Sequence, residues 1–86
     1  MTPADALVEI QGCARLNYIR FSTHARQRMR ERNVTYREVL FVIQKCTKIE
    51  DSAGCWCIWG PSGSGDDLKI VLVLQNGILV VTILEG

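Results

Sequence analysis

The residues with the clearest chemical potential lie in one short segment, FSTHARQRMRERN, at positions 21–33. This segment contains the only histidine of the chain, His24, and four of its seven arginines. Histidine is the side-chain type whose ordinary pKa lies closest to neutral pH, so it can accept or donate a proton under physiological conditions. Arginine presents a planar fork of N–H donors that fits phosphate or carboxylate oxygens. The combination points to chemistry on an anionic group such as a phosphate.

Helical spacing decides which of these side chains can act together, because residues three or four apart share a face. The segment then forms two rows, one of His24, Arg28 and Glu31 and the next of Ala25, Met29 and Arg32. We expect Ala25 and Met29 to face the core. His24 also lies in the first turn, where free backbone N–H groups favour an anion. The alternative is a solvated Arg-rich helix in which His24 only forms a cap or a hydrogen bond.

The charge of the chain is unevenly distributed. The net charge is only +1, but residues 20–37 hold six arginines against one carboxylate, Glu31. The remainder of the chain is therefore net acidic. Such an asymmetry indicates one basic face, suited to nucleic-acid phosphates or to an acidic protein segment.

Length and composition indicate one small folded domain, residues 1–86. Hydrophobic residues make up 48% of the 86 positions and charged residues 22%, which argues against disorder. No apolar run reaches the roughly 18 residues that a membrane-spanning helix needs. The N-terminus lacks a basic region followed by an apolar stretch, so no signal peptide is predicted. We therefore expect a cytoplasmic protein without a membrane partner.

Three helices are predicted in the first half. The first follows Thr2 as cap, with Pro3 in its first turn. After a short extended segment at 18–21, a second helix covers 22–32, capped by Ser22 or Thr23 and ended by Asn33. The pair Thr35 and Glu38 forms a capping box that opens a third helix over 36–46.

The second half reads as strands. TKIED (47–51) and CWCIWG (55–60) are joined by a turn near Gly54, a flexible loop covers 61–67, and two apolar strands flank Asn76-Gly77, a strong hairpin signal. The sequence therefore predicts an α+β fold, with N-terminal helices packed on one face of a three- to four-stranded antiparallel sheet.

A two-residue turn at Asn76-Gly77 fixes the register of this hairpin. It pairs Gln75 with Ile78, Val73 with Val80, Val71 with Thr82 and Lys69 with Leu84. The face expected to take the helices then holds Leu68, Ile70, Leu72, Leu74, Leu79, Val81 and Ile83. Lys69 and Thr82 become diagonal neighbours on the opposite face, where a polar site could lie.

The four cysteines fit no familiar disulfide framework, and we expect reduced thiols. Cys55 and Cys57 would point to the same side of a strand. With Cys46, Cys13 or His24 they could in principle hold zinc, but the usual C-x-x-C spacing is absent. We therefore predict neither a metal nor a cofactor.

The string F-S-x-H-A-x-x-R-M-x-x-R-N-V-T-x-x-E-V, from Phe21 to Val39, resembles a bacterial domain family of unknown function. The family pattern continues with a second helix and several strands, the last carrying a V-V-T element that Val80–Thr82 matches. Asn33 stands where the family usually has Gly, and both residue types tolerate a positive φ. The resemblance covers about residues 19–84, a toxin-like core, and leaves residues 1–18 as an added N-terminal helix.

That family in turn is similar to the RelE, barnase and colicin-like ribonuclease superfamily, which includes RelE- and MqsR-type toxins. The resemblance implies a RelE- or barnase-like fold and metal-independent RNA cleavage by an mRNA interferase toxin of a toxin–antitoxin system. The implied partners are single-stranded RNA or mRNA and an acidic antitoxin that covers the Arg-rich face.

Cleavage of RNA through its 2′-hydroxyl needs a base, an acid and cations for the charged transition state. With the resemblance, His24 is the candidate base or acid, Arg28 the phosphate-holding cation, and Thr82 a partner from the sheet. Arg20, Arg32 and Lys69 are candidates for additional substrate contacts. Trp59, or alternatively Trp56, is a candidate for base stacking, with core packing as the competing role for both. No second acid–base group is evident.

Two other classes of function remain open. The Arg-rich helix could belong to a non-catalytic module that binds nucleic acid or an acidic protein. Alternatively, the aliphatic sheet faces could form a homodimer or partner surface in a structural domain.

Overall fold

The computed structural model describes residues 1–63 and 65–86. Over these residues the chain forms three helices and five strands. The helices are α1 (Pro3–Arg15), α2 (Thr23–Arg32) and α3 (Tyr36–Gln44), and the strands are β1 (Ile19–Phe21), β2 (Lys48–Ser52), β3 (Cys55–Pro61), β4 (Asp67–Leu74) and β5 (Ile78–Glu85). The strands form one sheet in the order β1-β5-β4-β3-β2. The predicted α+β class is confirmed.

Local capping explains where the helices begin. The Thr2 hydroxyl accepts a hydrogen bond from the Asp5 backbone N–H at 3.1 Å, and a capping box joins Thr35 to Glu38. Asn33 ends α2 in the left-handed conformation, with φ of 54°, which asparagine tolerates better than most residues. The predicted caps are confirmed, but α2 begins at Thr23 rather than at 22, and α3 ends at Gln44 rather than at 46.

Strands β2 to β5 pair antiparallel as predicted. The sheet has a fifth strand, however, so the predicted number of three or four strands and the purely antiparallel pairing are wrong. The short segment β1 pairs parallel to β5, with Ile19 opposite Ile78 and Phe21 opposite Val80. A three-residue strand is too short to show a periodic pattern. Its partner is also distant in sequence, so no local turn signals the pairing.

The register of the hairpin is partly as predicted. Val71–Thr82 and Lys69–Leu84 pair as expected, but Val73 lies opposite Leu79 and Leu74 opposite Ile78, so the predicted Val73–Val80 and Gln75–Ile78 pairs are wrong. The turn is one residue longer than predicted, and a bulge between Val71–Thr82 and Leu72–Val80 restores the register.

The bulge also changes which residues of β5 enter the core. Ile78 and Val80 are fully buried, whereas Leu79 and Val81, predicted on the helix-facing side, are half-buried. The assignment of Leu68, Ile70, Leu72 and Ile83 to the buried side is confirmed. A one-residue slip in register moves each side chain to the other face of the sheet. The longer turn causes this slip and the bulge ends it, so the wrong assignments are confined to the residues between the turn and the bulge.

The core joins residues of all three helices to the sheet. Ile10 of α1, Ala25 of α2 and Ile43 of α3 belong to the same buried cluster as Ile70 and Leu72 of β4. Gln11 and Gln44 fasten α1 to α3 in both directions: the Gln11 amide donates to the Ile43 carbonyl at 3.1 Å, and the Gln44 amide donates to the Gln11 carbonyl at 3.2 Å.

The predicted loop at 61–67 is shorter than expected, because Pro61 ends β3 and Asp67 begins β4. Its residue Ser64 lies outside the described residues. Across residues 1–63 and 65–86, none of the helices has the length and apolar character needed to cross a membrane.

Candidate functional site

The first turn of α2 is attached directly to the bulged part of β5. The Ser22 hydroxyl accepts from the Ala25 backbone N–H at 3.0 Å and donates to the Val81 carbonyl at 2.7 Å. The Ser22 backbone N–H also donates to the Val80 carbonyl at 2.9 Å. One serine therefore caps the helix and holds its start against the strand. His24 follows this anchor by two residues, and Thr82 follows the bulge.

The two rows predicted on α2 are present. Ala25 is fully buried, and Met29 packs against the core. His24, on the neighbouring row, is exposed. Arg28 of the same row is half-buried, and its guanidinium lies 4.0 Å from the Glu31 carboxylate, at the limit of an ion pair. The Arg28 head group is therefore only weakly held and is free to contact a ligand.

Thr82 presents an unusual hydroxyl. Its Oγ1 is buried, yet within residues 1–63 and 65–86 it has no hydrogen-bond partner. A buried unpaired polar group costs free energy, so such atoms call for a structural or functional reason. The hydroxyl lies on the strand to which Ser22 fastens the start of α2.

Two candidate residues lie apart from this arrangement. The Arg20 guanidinium donates to the Gln75 carbonyl, at the turn end of the sheet. Arg32 forms a 2.9 Å ion pair with Glu85, at the opposite end of β5. The structure therefore separates Arg20 and Arg32 from each other and engages both in contacts within the protein.

A row of side chains crosses the sheet on the face that carries Thr82. Lys48, Trp59, Lys69 and Leu84 lie opposite one another on β2, β3, β4 and β5. The Lys48 ammonium lies 4.8 Å and the Lys69 ammonium 5.1 Å from the centre of the Trp59 ring. The predicted diagonal relation of Lys69 and Thr82 is confirmed. Trp56, on the opposite side of β3, packs against the core.

The cysteines form no cluster suited to a metal. Cys57 is buried and Cys55 half-buried, and within the described ranges, 1–63 and 65–86, no three His, Cys, Asp or Glu side chains group as ligands. Burial raises the pKa of the Cys46 thiol, opposed by backbone hydrogen bonding at Lys48 and Trp59. The Cys46 thiol is therefore protonated at neutral pH and a poor nucleophile.

Sequence reasoning missed two contributors. The sequence indicates Ser22 as a cap, but its second hydrogen bond, to Val81, depends on a bulge that no local pattern indicates. No motif in the sequence points to Lys48. Lys48 alternates with the apolar Ile49 on β2, which indicates that it lies on the other face of the strand. The pairing that brings it beside Trp59 is a property of the folded sheet.

Comparison with protein-family models finds a match over residues 21–85 to a domain of unknown function, DUF4258. The matched segment begins at β1 and includes α2, α3 and the four following strands. Searches of the curated proteins and of the solved structures find no match. Because the family model covers most of the chain, this protein belongs to the DUF4258 family.

Proposed function

We propose that this protein is a metal-independent endoribonuclease, an mRNA interferase-like toxin of a toxin–antitoxin system. The observation that carries the proposal is the Ser22 anchor, which joins the α2 turn bearing His24 to the bulged strand bearing Thr82. An exposed imidazole, a loosely held guanidinium and an unpaired hydroxyl thus lie on elements that are fastened together.

The proposed reaction uses the 2′-hydroxyl of RNA as nucleophile. Its oxygen attacks the adjacent phosphorus, the bond from phosphorus to the 5′-oxygen breaks, and the products are a 2′,3′-cyclic phosphate and a 5′-hydroxyl. His24 takes the proton from the 2′-hydroxyl or gives one to the leaving 5′-oxygen. Arg28 stabilises the charge that develops on the phosphate, and Thr82 donates its hydroxyl hydrogen to a phosphate oxygen.

A RelE- or barnase-like arrangement, with the helices on one face of the sheet, is part of this proposal. It is supported by the shared cluster of Ile10, Ala25 and Ile43 with Ile70 and Leu72. In that arrangement no helix within residues 1–63 and 65–86 covers the opposite face at Lys69 and Trp59, which we propose as the path of the RNA strand. The proposed regulator is an acidic antitoxin that covers the basic helix in the cytoplasm, supported by the exposed Arg26 and Arg30.

The direct test is cleavage of a mixed RNA in excess EDTA by the wild type and by His24→Ala. We expect cleavage by the wild type alone, with 2′,3′-cyclic phosphate ends. A matched pair of arginine variants refines the test, because Arg28 and Arg26 lie on different sides of α2. Arg28→Ala should lower the rate by about a hundredfold, as loss of a transition-state contact does, whereas Arg26→Ala should leave it nearly unchanged.

Equal cleavage by the wild type and His24→Ala would remove His24 from the reaction. Absence of cleavage, with and without ribosomes, would favour the second candidate function, a non-catalytic nucleic-acid-binding module. The Lys48–Trp59–Lys69 row gives that candidate a specific basis, because it needs no acid–base group. His24→Ala would then bind RNA as the wild type does.

A further inference from the structure

We propose that Trp59, with Lys48 and Lys69, forms a subsite that stacks one base of single-stranded RNA and holds a neighbouring phosphate. The inference rests on the proposed function, which makes RNA the substrate. It adds the place on the sheet where the RNA strand continues beyond the cleaved bond. It assigns a role to Lys48 that the reaction itself does not require.

The first argument is the composition of the row. Trp59 is half-buried on a sheet face, and two lysines from the flanking strands hold their ammonium groups over its ring in cation–π contacts. A base that stacks on the ring takes the place of an ammonium group, which then turns to the phosphate of the same strand. An indole in a basic setting is the usual platform for an unpaired base, because every base has a flat π face and each nucleotide adds a phosphate.

The second argument concerns the charges of the row. The Lys48 ammonium, which lies over the Trp59 ring, also forms a 3.0 Å ion pair with the Glu50 carboxylate. Within residues 1–63 and 65–86, no carboxylate lies at ion-pair distance from Lys69. Lys69 is therefore the cation that a phosphate would engage, and Lys48 adds a second positive charge at the ring.

The third argument is the position of the row relative to Thr82. Trp59 lies on β3 and Thr82 on β5, so the two are separated by two strand spacings, about 10 Å. They also occupy adjacent rows, because Thr82 pairs with Val71 and Lys69 pairs with Trp59. A base on Trp59 therefore belongs to a different nucleotide from the one cleaved beside Thr82, and the bound strand crosses the sheet.

The test measures binding without cleavage. A short 2′-O-methyl oligoribonucleotide lacks the nucleophilic hydroxyl, so it reports binding alone. In a Trp56→Phe background Trp59 is the only indole, and its fluorescence should be quenched on titration. An oligonucleotide of the same length without bases should bind through phosphates but should not quench.

Variants then separate stacking from charge. Trp59→Leu should weaken binding of the labelled oligonucleotide about tenfold, and Trp59→Phe, which keeps an aromatic ring, should retain most of the affinity and controls for folding. Lys69→Gln should reduce the slope of log affinity against log salt by about 0.7, as expected for one lost phosphate contact. Lys45→Gln, an exposed lysine after α3, should leave the slope unchanged.

The outcomes distinguish this subsite from the catalytic proposal. Quenching by the oligonucleotide without RNA cleavage would retain the subsite and reject the nuclease. Cleavage with unchanged binding by Trp59→Leu would reject the subsite and retain the nuclease. Equal quenching by the baseless oligonucleotide, or by polyglutamate, would overturn base stacking and instead indicate a surface for an acidic protein.

Discussion

The arginines of α2 carry the same charge but differ in how they are held. Arg28 lies at the limit of ion-pair distance from Glu31, on its own helix. Arg32 makes a close ion pair with Glu85, and its Nε is buried without a partner among the described residues. Arg28 can therefore turn toward a ligand at little cost, whereas Arg32 must first give up Glu85. Of these two arginines, Arg28 is the one that can contact a ligand without first breaking a close ion pair.

Glu85→Gln tests whether Arg32 is withheld from substrate in this way. Most of the Glu85 side chain is exposed, so the variant should change the free energy of unfolding by less than about 1 kcal/mol. Its affinity for 2′-O-methyl RNA should rise, because Arg32 loses its carboxylate. Urea denaturation and fluorescence anisotropy measure the two effects. Glu9→Gln, an exposed position on α1, controls for net charge, and an equal gain there would show that Arg32 is not involved.

At the scale of secondary structure, the sequence predicts the helices well because their signals are local. Thr2, Ser22 and Thr35 each cap a helix through an N–H only three residues away. The same holds for Asn33, whose own backbone conformation ends α2. Within this range, residue type and conformation are directly linked, so capping and turn rules suffice.

The parts that could not be predicted depend on contacts between distant residues. The pairing of β1 with β5 joins the first strand to the last, and the bulge beside Thr82 changes which of two alternating apolar sets is buried. Both sets of β5 are aliphatic, so hydrophobicity cannot choose between them. The same distinction holds for the candidate site. Helical spacing is enough to place His24 and Arg28 on one row of α2. The separation of Arg20 from Arg32 depends on the fold, because their contacts are with Gln75 and Glu85, which are distant in sequence.

Ser22→Ala tests how strongly the anchor joins α2 to the sheet. The variant loses both the helix cap and the hydrogen bond to the part-buried Val81 carbonyl, and we expect a loss of about 2 kcal/mol. Thr2→Ala removes an exposed cap without a second bond and should cost about 1 kcal/mol or less. Urea denaturation compares them, and equal losses would show that the Val81 contact adds no stability.

At the scale of the whole molecule, the core extends beyond the family match. The match begins at Phe21, yet Ala6, Ile10 and Ala14 of α1 are buried in the same cluster as α3 and the sheet. Hydrogen bonds from the side-chain amides of Gln11 and Gln44 to backbone carbonyls of the other helix add a polar connection between α1 and α3. In this chain, α1 therefore covers apolar surface that would otherwise meet water.

This role predicts that α1 contributes to the stability of the entire domain. Ile10 is fully buried, so Ile10→Ala should lower the free energy of unfolding by about 2–5 kcal/mol, through lost burial and the cavity left behind. Val8, on the same helix, is 70% exposed, and Val8→Ala should change it by no more than about 0.5 kcal/mol. Both variants are compared by urea denaturation, followed by the fluorescence of Trp59 in the Trp56→Phe background. Because the indole lies on the sheet rather than on α1, a lower midpoint for Ile10→Ala would show that the helix and the sheet unfold together. An unchanged midpoint would show instead that α1 is attached to a core that is stable without it.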